Sequence, residues 1–134
     1  MDRLISIGLL LSRILLSSIF LFSGAKKIFA FQATQAYMAS FGMQMTGIFL
    51  VLAILFELGG GLSLLLGYYP RLGALALILF LVPATLVFHR EFSDPAQVVQ
   101  FSKNVTILGG LLAILSAGGG ELAVRRTPQE PGRS

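Results

Sequence analysis

Four long apolar stretches, separated by short polar segments, dominate the hydrophobic pattern of this chain. They cover residues 4–25, 46–67, 72–88 and 95–117. A helix needs about 20 predominantly apolar residues to cross the hydrocarbon core of a bilayer. The pattern therefore predicts an all-α membrane protein, a four-transmembrane-helix antiparallel bundle. We assign residues 1–120 to this membrane domain and residues 121–134 to a polar C-terminal tail.

The segments between the apolar stretches carry further local signals. Residues 31–45 contain aromatic residues, methionines and amides but no charge, which predicts an interfacial helix or lid. Pro83 lies inside the third stretch, where we expect a kink, with Thr85 available to satisfy a backbone group that the proline frees. Ser93 or Asp94 is the predicted N-cap of the fourth helix, with Pro95 in its first turn.

The composition supports a membrane location and excludes several kinds of chemistry. Of the 134 residues, 55% are hydrophobic and 12% are charged, whereas soluble domains carry about 25% charged residues. The absence of cysteine excludes thiol–disulfide relays and cysteine-ligated iron–sulfur or zinc sites. The single histidine excludes a bis-histidine haem within this chain. We therefore expect no metal site and no covalent cofactor.

The basic residues predict the orientation of the bundle rather than a nucleic-acid partner. The net charge is +4, but the basic residues are dispersed and mostly flank the apolar stretches. Four spans place both termini on one side of the membrane. That side carries five arginines and the other carries four basic residues, which predicts cytoplasmic termini. The five are Arg3, Arg71, Arg125, Arg126 and Arg133, and the four are Lys26, Lys27, Arg90 and Lys103.

Two charged residues lie deep within the apolar stretches. From the predicted helix ends, Arg13 is about 18 Å and Glu57 about 17 Å from the same membrane face, at 1.5 Å per residue. Because the first two helices run antiparallel, these depths predict a buried Arg13–Glu57 ion pair. Gly60 and Gly61 follow on the face of Glu57 and are expected to leave room beside the carboxylate. The pair either fixes helix register only or forms the floor of a pocket.

A second polar cluster is predicted where the helices end at the opposite interface. It consists of Lys26, His89, Gln100 and Asn104, with Lys103 beside them. A single histidine at a helix end is commonly a capping or interfacial residue. In the functional interpretation the cluster is the mouth of a pocket, and His89 donates a proton or a hydrogen bond to a quinone-like carbonyl.

Small residues at four-residue spacing predict where the helices pack closely. Such patterns allow two backbones to approach in lipid. They are Gly59, Ser63 and Gly67 on the second helix, and Gly109, Ala113 and Ala117 on the fourth.

In its order of motifs the chain resembles the DoxX family of small bacterial membrane proteins. The resemblance runs from Arg13 to about Ser116. It is carried by an arginine in the first span followed by SGAKKI, then by FELGGGLSLLLGYYPRLGALAL, LVPATLVFHR and FSKNVTILGGLLAI. The family's recurrent polar positions correspond to Arg13, Lys26, Glu57, His89 and Asn104. The resemblance implies a four-helix bundle in the bacterial cytoplasmic membrane and an association with redox chemistry, because relatives include the small subunit of a thiosulfate:quinone oxidoreductase.

Two functions from different classes follow from these observations. The first is a non-catalytic accessory subunit of a membrane electron-transfer complex, in contact with lipids and with other subunits of a redox, respiratory or photosynthetic assembly. The second is a quinone- or thiosulfate-linked oxidoreductase component with its own pocket between the helices. Either could hold a bound quinone or lipid. A secondary transporter is disfavoured, because the chain lacks an inverted repeat of broken helices.

Overall fold

The computed structural model describes residues 2–89 and 91–124, and this part of the chain is helical without a β-strand. Four of its helices are long and apolar enough to cross a membrane, which confirms the predicted all-α four-span fold. The helices are α1 (Arg3–Phe29), α2 (Phe31–Ser40), α3 (Thr46–Leu66), α4 (Pro70–Phe88) and α5 (Pro95–Ala117). The predicted interfacial segment is the short helix α2.

The helix ends follow from local sequence. α3 ends where Gly67 adopts the left-handed conformation with φ of 70°, which glycine reaches at little steric cost. The N–H groups of Gly67 and Tyr68 then donate to two of the last carbonyls of α3, at 3.2 and 3.0 Å. Asp94 caps α5 by accepting a 3.0 Å hydrogen bond from the Ala96 N–H, and Pro95 follows it. The predicted start of the fourth spanning helix is confirmed.

The spanning helices pack in the order α1, α3, α4, α5, and α5 returns to touch α1. The larger core lies among these four helices, and a smaller one lies where α2 packs against the start of α3. Each helix therefore buries only one stripe and leaves most of its apolar surface facing outward, as lipid-embedded helices do. The buried residues of the larger core are Phe20, Leu64, Ala74, Leu77, Leu81, Leu111 and Ile114.

The close contact between α3 and α4 is made by Gly60 and not by Gly59, which the small-residue pattern had predicted. A Cβ atom built on Gly60 would lie 2.6 Å from the Leu77 side chain, whereas one on Gly59 would meet nothing within 4 Å. Ser63 does lie at this contact, against Gly73. The space beside Gly60 and Gly61 is thus occupied by leucines from neighbouring helices. The prediction that these glycines leave room beside Glu57 is wrong.

The predicted small-residue face of α5 points outward. Gly109 has nothing within 4 Å of its Cβ position, and Ala113 and Ala117 are exposed. The contact with α1 is made by the neighbouring Gly110, whose Cβ position lies 3.0 Å from Leu16. The predicted face is wrong because a glycine-rich helix has small residues at four-residue spacing on more than one face. The spacing alone does not say which of these faces contacts a neighbouring helix.

Pro83 lies within α4 without ending it. A proline at this position removes the N–H that would bond to the carbonyl of Leu79. The hydroxyl of Thr85 donates instead to the carbonyl of Leu81, at 2.7 Å. The predicted role of Thr85 in satisfying the freed carbonyl is therefore wrong.

The segment after α5 folds back onto the end of α3. The N–H of Val124 donates to the carbonyl of Leu66 at 3.0 Å, and the carbonyl of Leu122 accepts a hydrogen bond from Arg13. The first residues of the predicted tail thus contact the bundle. Residues 125–134, with three of the arginines used to predict orientation, lie outside the described residues, as does Arg90.

Candidate functional site

A cavity of about 410 Å³ lies between the helices at the end of the bundle where α1 and α4 finish and α3 and α5 begin. Its walls are apolar, with Phe20, Phe80, Leu81, Phe88 and Ile107 among them. Its polar lining includes four predicted mouth residues, Lys26, His89, Gln100 and Asn104, together with Ser23, Lys27, Thr34, Tyr37, Glu57 and Lys103. The structure therefore brings the predicted cluster and Glu57 together. Arg13 is not part of the cavity.

The mouth of the cavity lies between α1 and α5. Lys26 and Phe22 of α1, and Gln100 and Lys103 of α5, line it and are exposed. Deeper in the bundle α1 and α5 meet at the contact between Leu16 and Gly110, which closes the cavity on that side. A molecule in the membrane would thus meet charged groups at one end of the opening and apolar walls within it.

Glu57 forms the polar floor and is 1% exposed. Its Oε1 atom lies 2.5 Å from Lys27 Nζ, at ion-pair distance but without hydrogen-bond geometry. Lys27, whose side chain is 24% exposed, also donates a 2.7 Å hydrogen bond to Ser23 Oγ. Its ammonium group lies 5.8 Å from the centre of the Phe80 ring, within reach of a cation–π interaction. The ammonium is thus held on three sides, while the carboxylate keeps unused acceptor capacity.

The predicted ion pair between Arg13 and Glu57 is not formed. Arg13 is completely buried and donates through Nη1 to the carbonyl of Leu64, at 3.1 Å, and through Nη2 to the carbonyl of Leu122. Leu64 O is among the last carbonyls of α3, so the guanidinium lies at the negative end of that helix dipole. Arg13 therefore joins the end of α3 to the segment after α5.

The length of α1 explains this correction. α1 continues to Phe29, four residues or about 6 Å beyond its predicted end. Gly24 of α1 consequently packs beside Glu57, and Arg13 lies beside Gly67. Side chains on a helix tilt toward its N-terminus. Lys27 therefore points back toward Glu57, and Arg13 points away from it.

Lys27 is the site residue that sequence reasoning missed, although a signal was present. Lys26 and Lys27 are adjacent, so they differ by about 100° around the helix and only one can face the bundle. Ser23 lies four residues before Lys27 and Gly24 lies between them, which marks the side facing α3. Read this way, the sequence favours Lys27 over Lys26 as the partner of a buried carboxylate.

A chain of hydrogen bonds fixes the orientation of Asn104. The hydroxyl of Thr85 has a single proton, and it is donated to the carbonyl of Leu81, which can only accept. Thr85 Oγ1 must therefore accept from Asn104 Nδ2, at 3.0 Å. The amide nitrogen of Asn104 is thus turned toward Thr85, and its Oδ1 atom is the branch left for other partners.

His89 and α2 complete the upper part of the cavity. His89 Nδ1 lies 2.9 Å from Gln97 Oε1, which links the end of α4 to the first turn of α5. Tyr37 of α2 stacks on Phe88 of α4, with ring centres 5.7 Å apart. Phe41 packs edge-on against both rings. α2 thereby covers the cavity from the side of α3 and α4.

The site combines apolar walls with a few polar groups at defined positions, the usual construction of a pocket for a small amphipathic molecule. Among residues 2–89 and 91–124, no three His, Asp or Glu side chains come together in a way that could hold a metal ion. The arrangement can bind and orient a ring or chain in the apolar part while hydrogen-bonding a polar end.

The fold and the cavity define a four-helix integral membrane protein with a pocket between its helices. The family model described as DoxX matches residues 8–90, so the chain belongs to the DoxX family. It is 36% identical over 126 residues to the inner membrane protein YqjF of Escherichia coli K12, covering 94% of this chain and 95% of that one. It is 28% identical over 123 residues to the inner membrane protein YphA of the same strain, covering 88% of each. No solved structure matches the chain.

Proposed function

We propose that this protein is an accessory subunit of a membrane electron-transfer assembly and that its cavity holds a quinone-class molecule. The observation that carries the proposal is the cavity itself, about 410 Å³ in volume with apolar walls and polar groups at its mouth and floor. A quinone has the matching shape, since a polar ring bears an apolar chain. The opening between α1 and α5 lies on the lipid-facing side of the bundle, where such a molecule would enter.

An accessory role is favoured over independent turnover by the chemistry of the lining. The described part of the cavity offers lysines, one carboxylate, one histidine and amides, and the whole sequence offers no cysteine. These groups can bind and orient a quinone and can exchange protons with it. In this proposal another subunit supplies or accepts the electrons.

A second candidate is a quinone-linked oxidoreductase component that works through its own pocket. The presence of Glu57, Lys27 and His89 around one cavity favours it, because titratable groups that collect in one cleft mark candidate functional sites. If the second candidate function is linked to thiosulfate, the lysines at the mouth would attract the anion. Both candidates use the same cavity and differ in whether the protein requires partner chains.

One experiment separates these candidates. The protein is solubilised gently from its native membrane, and the accompanying chains are identified by mass spectrometry while bound quinone is extracted and quantified. The accessory-subunit proposal predicts other chains in fixed stoichiometry. A protein recovered alone with one equivalent of quinone would favour the second candidate, and recovery alone without quinone would contradict both.

We also propose that both termini lie in the cytoplasm, so that the end of the bundle with the cavity lies at the opposite face of the membrane. The sequence count of basic residues, five assigned to the side of the termini against four on the other, supports this orientation. Because the natural chain has no cysteine, single cysteines introduced at Asp2 and Ser93 can be labelled with a membrane-impermeant maleimide in intact cells. Labelling at Ser93 alone is expected, and labelling at Asp2 alone would reverse the orientation.

A further inference from the structure

The hydrogen-bonding groups inside the cavity differ in whether they already have partners within the protein. The ammonium of Lys27 is engaged by Ser23, Glu57 and the ring of Phe80. Lys26 and Lys103 are exposed at the mouth. Of the three lysines that line the cavity, one is therefore engaged and two lie at its rim.

The acceptors, in contrast, keep capacity for a ligand. Glu57 is buried and ion-paired with Lys27, but a carboxylate has several acceptor sites, and no described group donates a hydrogen bond to its Oε1 atom. The Oδ1 atom of Asn104 is turned away from Thr85, because Thr85 takes the amide nitrogen. With Gln97 Oε1 against Nδ1, a neutral His89 carries its proton on Nδ1 and presents Nε2 as a third acceptor.

These acceptors lie at different depths. From the α3–α4 contact at Gly60 and Leu77, Thr85 and its partner Asn104 lie level with about residue 52 of α3. Glu57 is five residues deeper, or about 7.5 Å along the helix axis. A ligand that donates from both ends of one ring would meet an acceptor at the floor and another near the mouth.

We propose that the cavity is selective for the reduced, hydroxyl-bearing form of its ligand, a quinol, over the quinone. The inference rests on the proposed function and adds the redox state that the site recognises. A quinol donates two O–H groups, which Glu57 and Asn104 can accept. A quinone offers two carbonyl oxygens, which face these acceptors without a proton between them and leave buried groups unsatisfied.

The test compares the two redox forms of one probe. A decyl-chain benzoquinone and its quinol are titrated into the full chain in lipid nanodiscs by calorimetry, with empty nanodiscs as the correction for partitioning into lipid. The quinol is kept reduced with dithionite, which has no thiol or disulfide to act on in this chain. The quinol is expected to bind at least about tenfold more tightly, the effect of one buried hydrogen bond.

Two variants test the role of Asn104. Thr85→Val keeps the shape of the side chain but frees the Asn104 amide to turn its nitrogen toward the ligand, so the preference for quinol should fall to about threefold or less. Thr85→Ser keeps the hydroxyl and should retain the preference. If Thr85→Val does not fold, Asn104→Leu removes the acceptor directly and should have the same effect.

The possible outcomes separate this inference from the proposed function. Equal binding of both forms by the natural protein, or tighter binding of the quinone, would overturn the redox selectivity and leave the pocket assignment standing. An unchanged preference in both Thr85→Val and Asn104→Leu would also overturn it. Failure of both forms to bind would contradict the proposed function itself, and the selectivity with it.

Discussion

Lys27 Nζ lies 2.5 Å from Glu57 Oε1, and this contact ties the end of α1 to the middle of α3 at the floor of the cavity. It gives the buried carboxylate a counter-charge. Such a pair contributes little beyond what apolar packing would, but breaking it leaves an isolated charge in an apolar setting. Removal of one partner of the ion pair should therefore destabilise the bundle more than the pair itself stabilises it.

The first prediction concerns this pair. Lys27→Met should lower the free energy of unfolding by about 3 kcal/mol, because it leaves Glu57 buried without a counter-charge. The double variant Lys27→Met/Glu57→Gln should lose less than the sum of the two single variants, with a coupling energy of about 1–3 kcal/mol. The measurement is reversible unfolding in mixed micelles as the fraction of sodium dodecyl sulfate is raised.

A matched cycle tests the alternative partner. Arg13→Met and Glu57→Gln should be additive to within about 0.5 kcal/mol, since the two residues share no contact. Strong coupling in the Arg13–Glu57 cycle together with additivity in the Lys27–Glu57 cycle would restore the pairing first predicted from the sequence.

The second prediction uses two adjacent glycines of α3. Gly60→Ala should destabilise the bundle by about 1–3 kcal/mol, because its Cβ would lie 2.6 Å from Leu77 and 3.2 Å from the carbonyl of Gly73. Gly59→Ala meets open space and should be neutral or stabilise the helix by up to about 1 kcal/mol. The same unfolding titration applies. Equal effects at the two positions would mean that α3 packs in another register.

The third prediction concerns Arg13. Its planar guanidinium bonds to two carbonyls, one at the end of α3 and one after α5, which the single ammonium of a lysine cannot reproduce. Arg13→Lys should therefore loosen the segment after α5. The expected result is faster hydrogen exchange at the Val124 N–H, which is bonded to Leu66 in the natural protein.

Arg3→Lys is the control for this change, because residue 3 is exposed at the start of the same helix. It should leave exchange at Val124 unchanged. Unaltered exchange in Arg13→Lys would show that Arg13 does not hold this segment.

The fold and the convergence of polar residues at one end of the bundle could be predicted from the sequence, because both depend on coarse features. Long apolar stretches specify spanning helices, and short connections force neighbouring helices to be antiparallel. Polar residues at helix ends such as His89 and Asn104 then meet at one surface whatever the detailed packing. Their convergence needed only the positions of the ends to within a turn.

The partners inside the bundle could not be predicted in the same way, because they depend on register. α1 ends four residues later than predicted. Lys27 rather than Arg13 therefore lies beside Glu57. A difference of one residue likewise decides whether Gly59 or Gly60 contacts α4. The hydrogen bond between Asn104 and Thr85 joins two helices whose relative rotation the sequence does not state.

The most direct test of whether the cavity holds a quinone-class molecule is to fill the cavity and measure the loss of ligand binding. Ala53 lines the cavity, and Ala53→Phe should fill part of it without altering a polar group. Ala113→Phe makes the same change on the exposed face of α5 and serves as the control. The measurement is calorimetric titration of the decyl-chain quinol into each protein in lipid nanodiscs. We expect about one equivalent of quinol bound by the natural protein and by Ala113→Phe. Binding should be at least about tenfold weaker in Ala53→Phe, a loss of about 1.4 kcal/mol or more. Binding of the same strength and stoichiometry in Ala53→Phe would contradict this prediction.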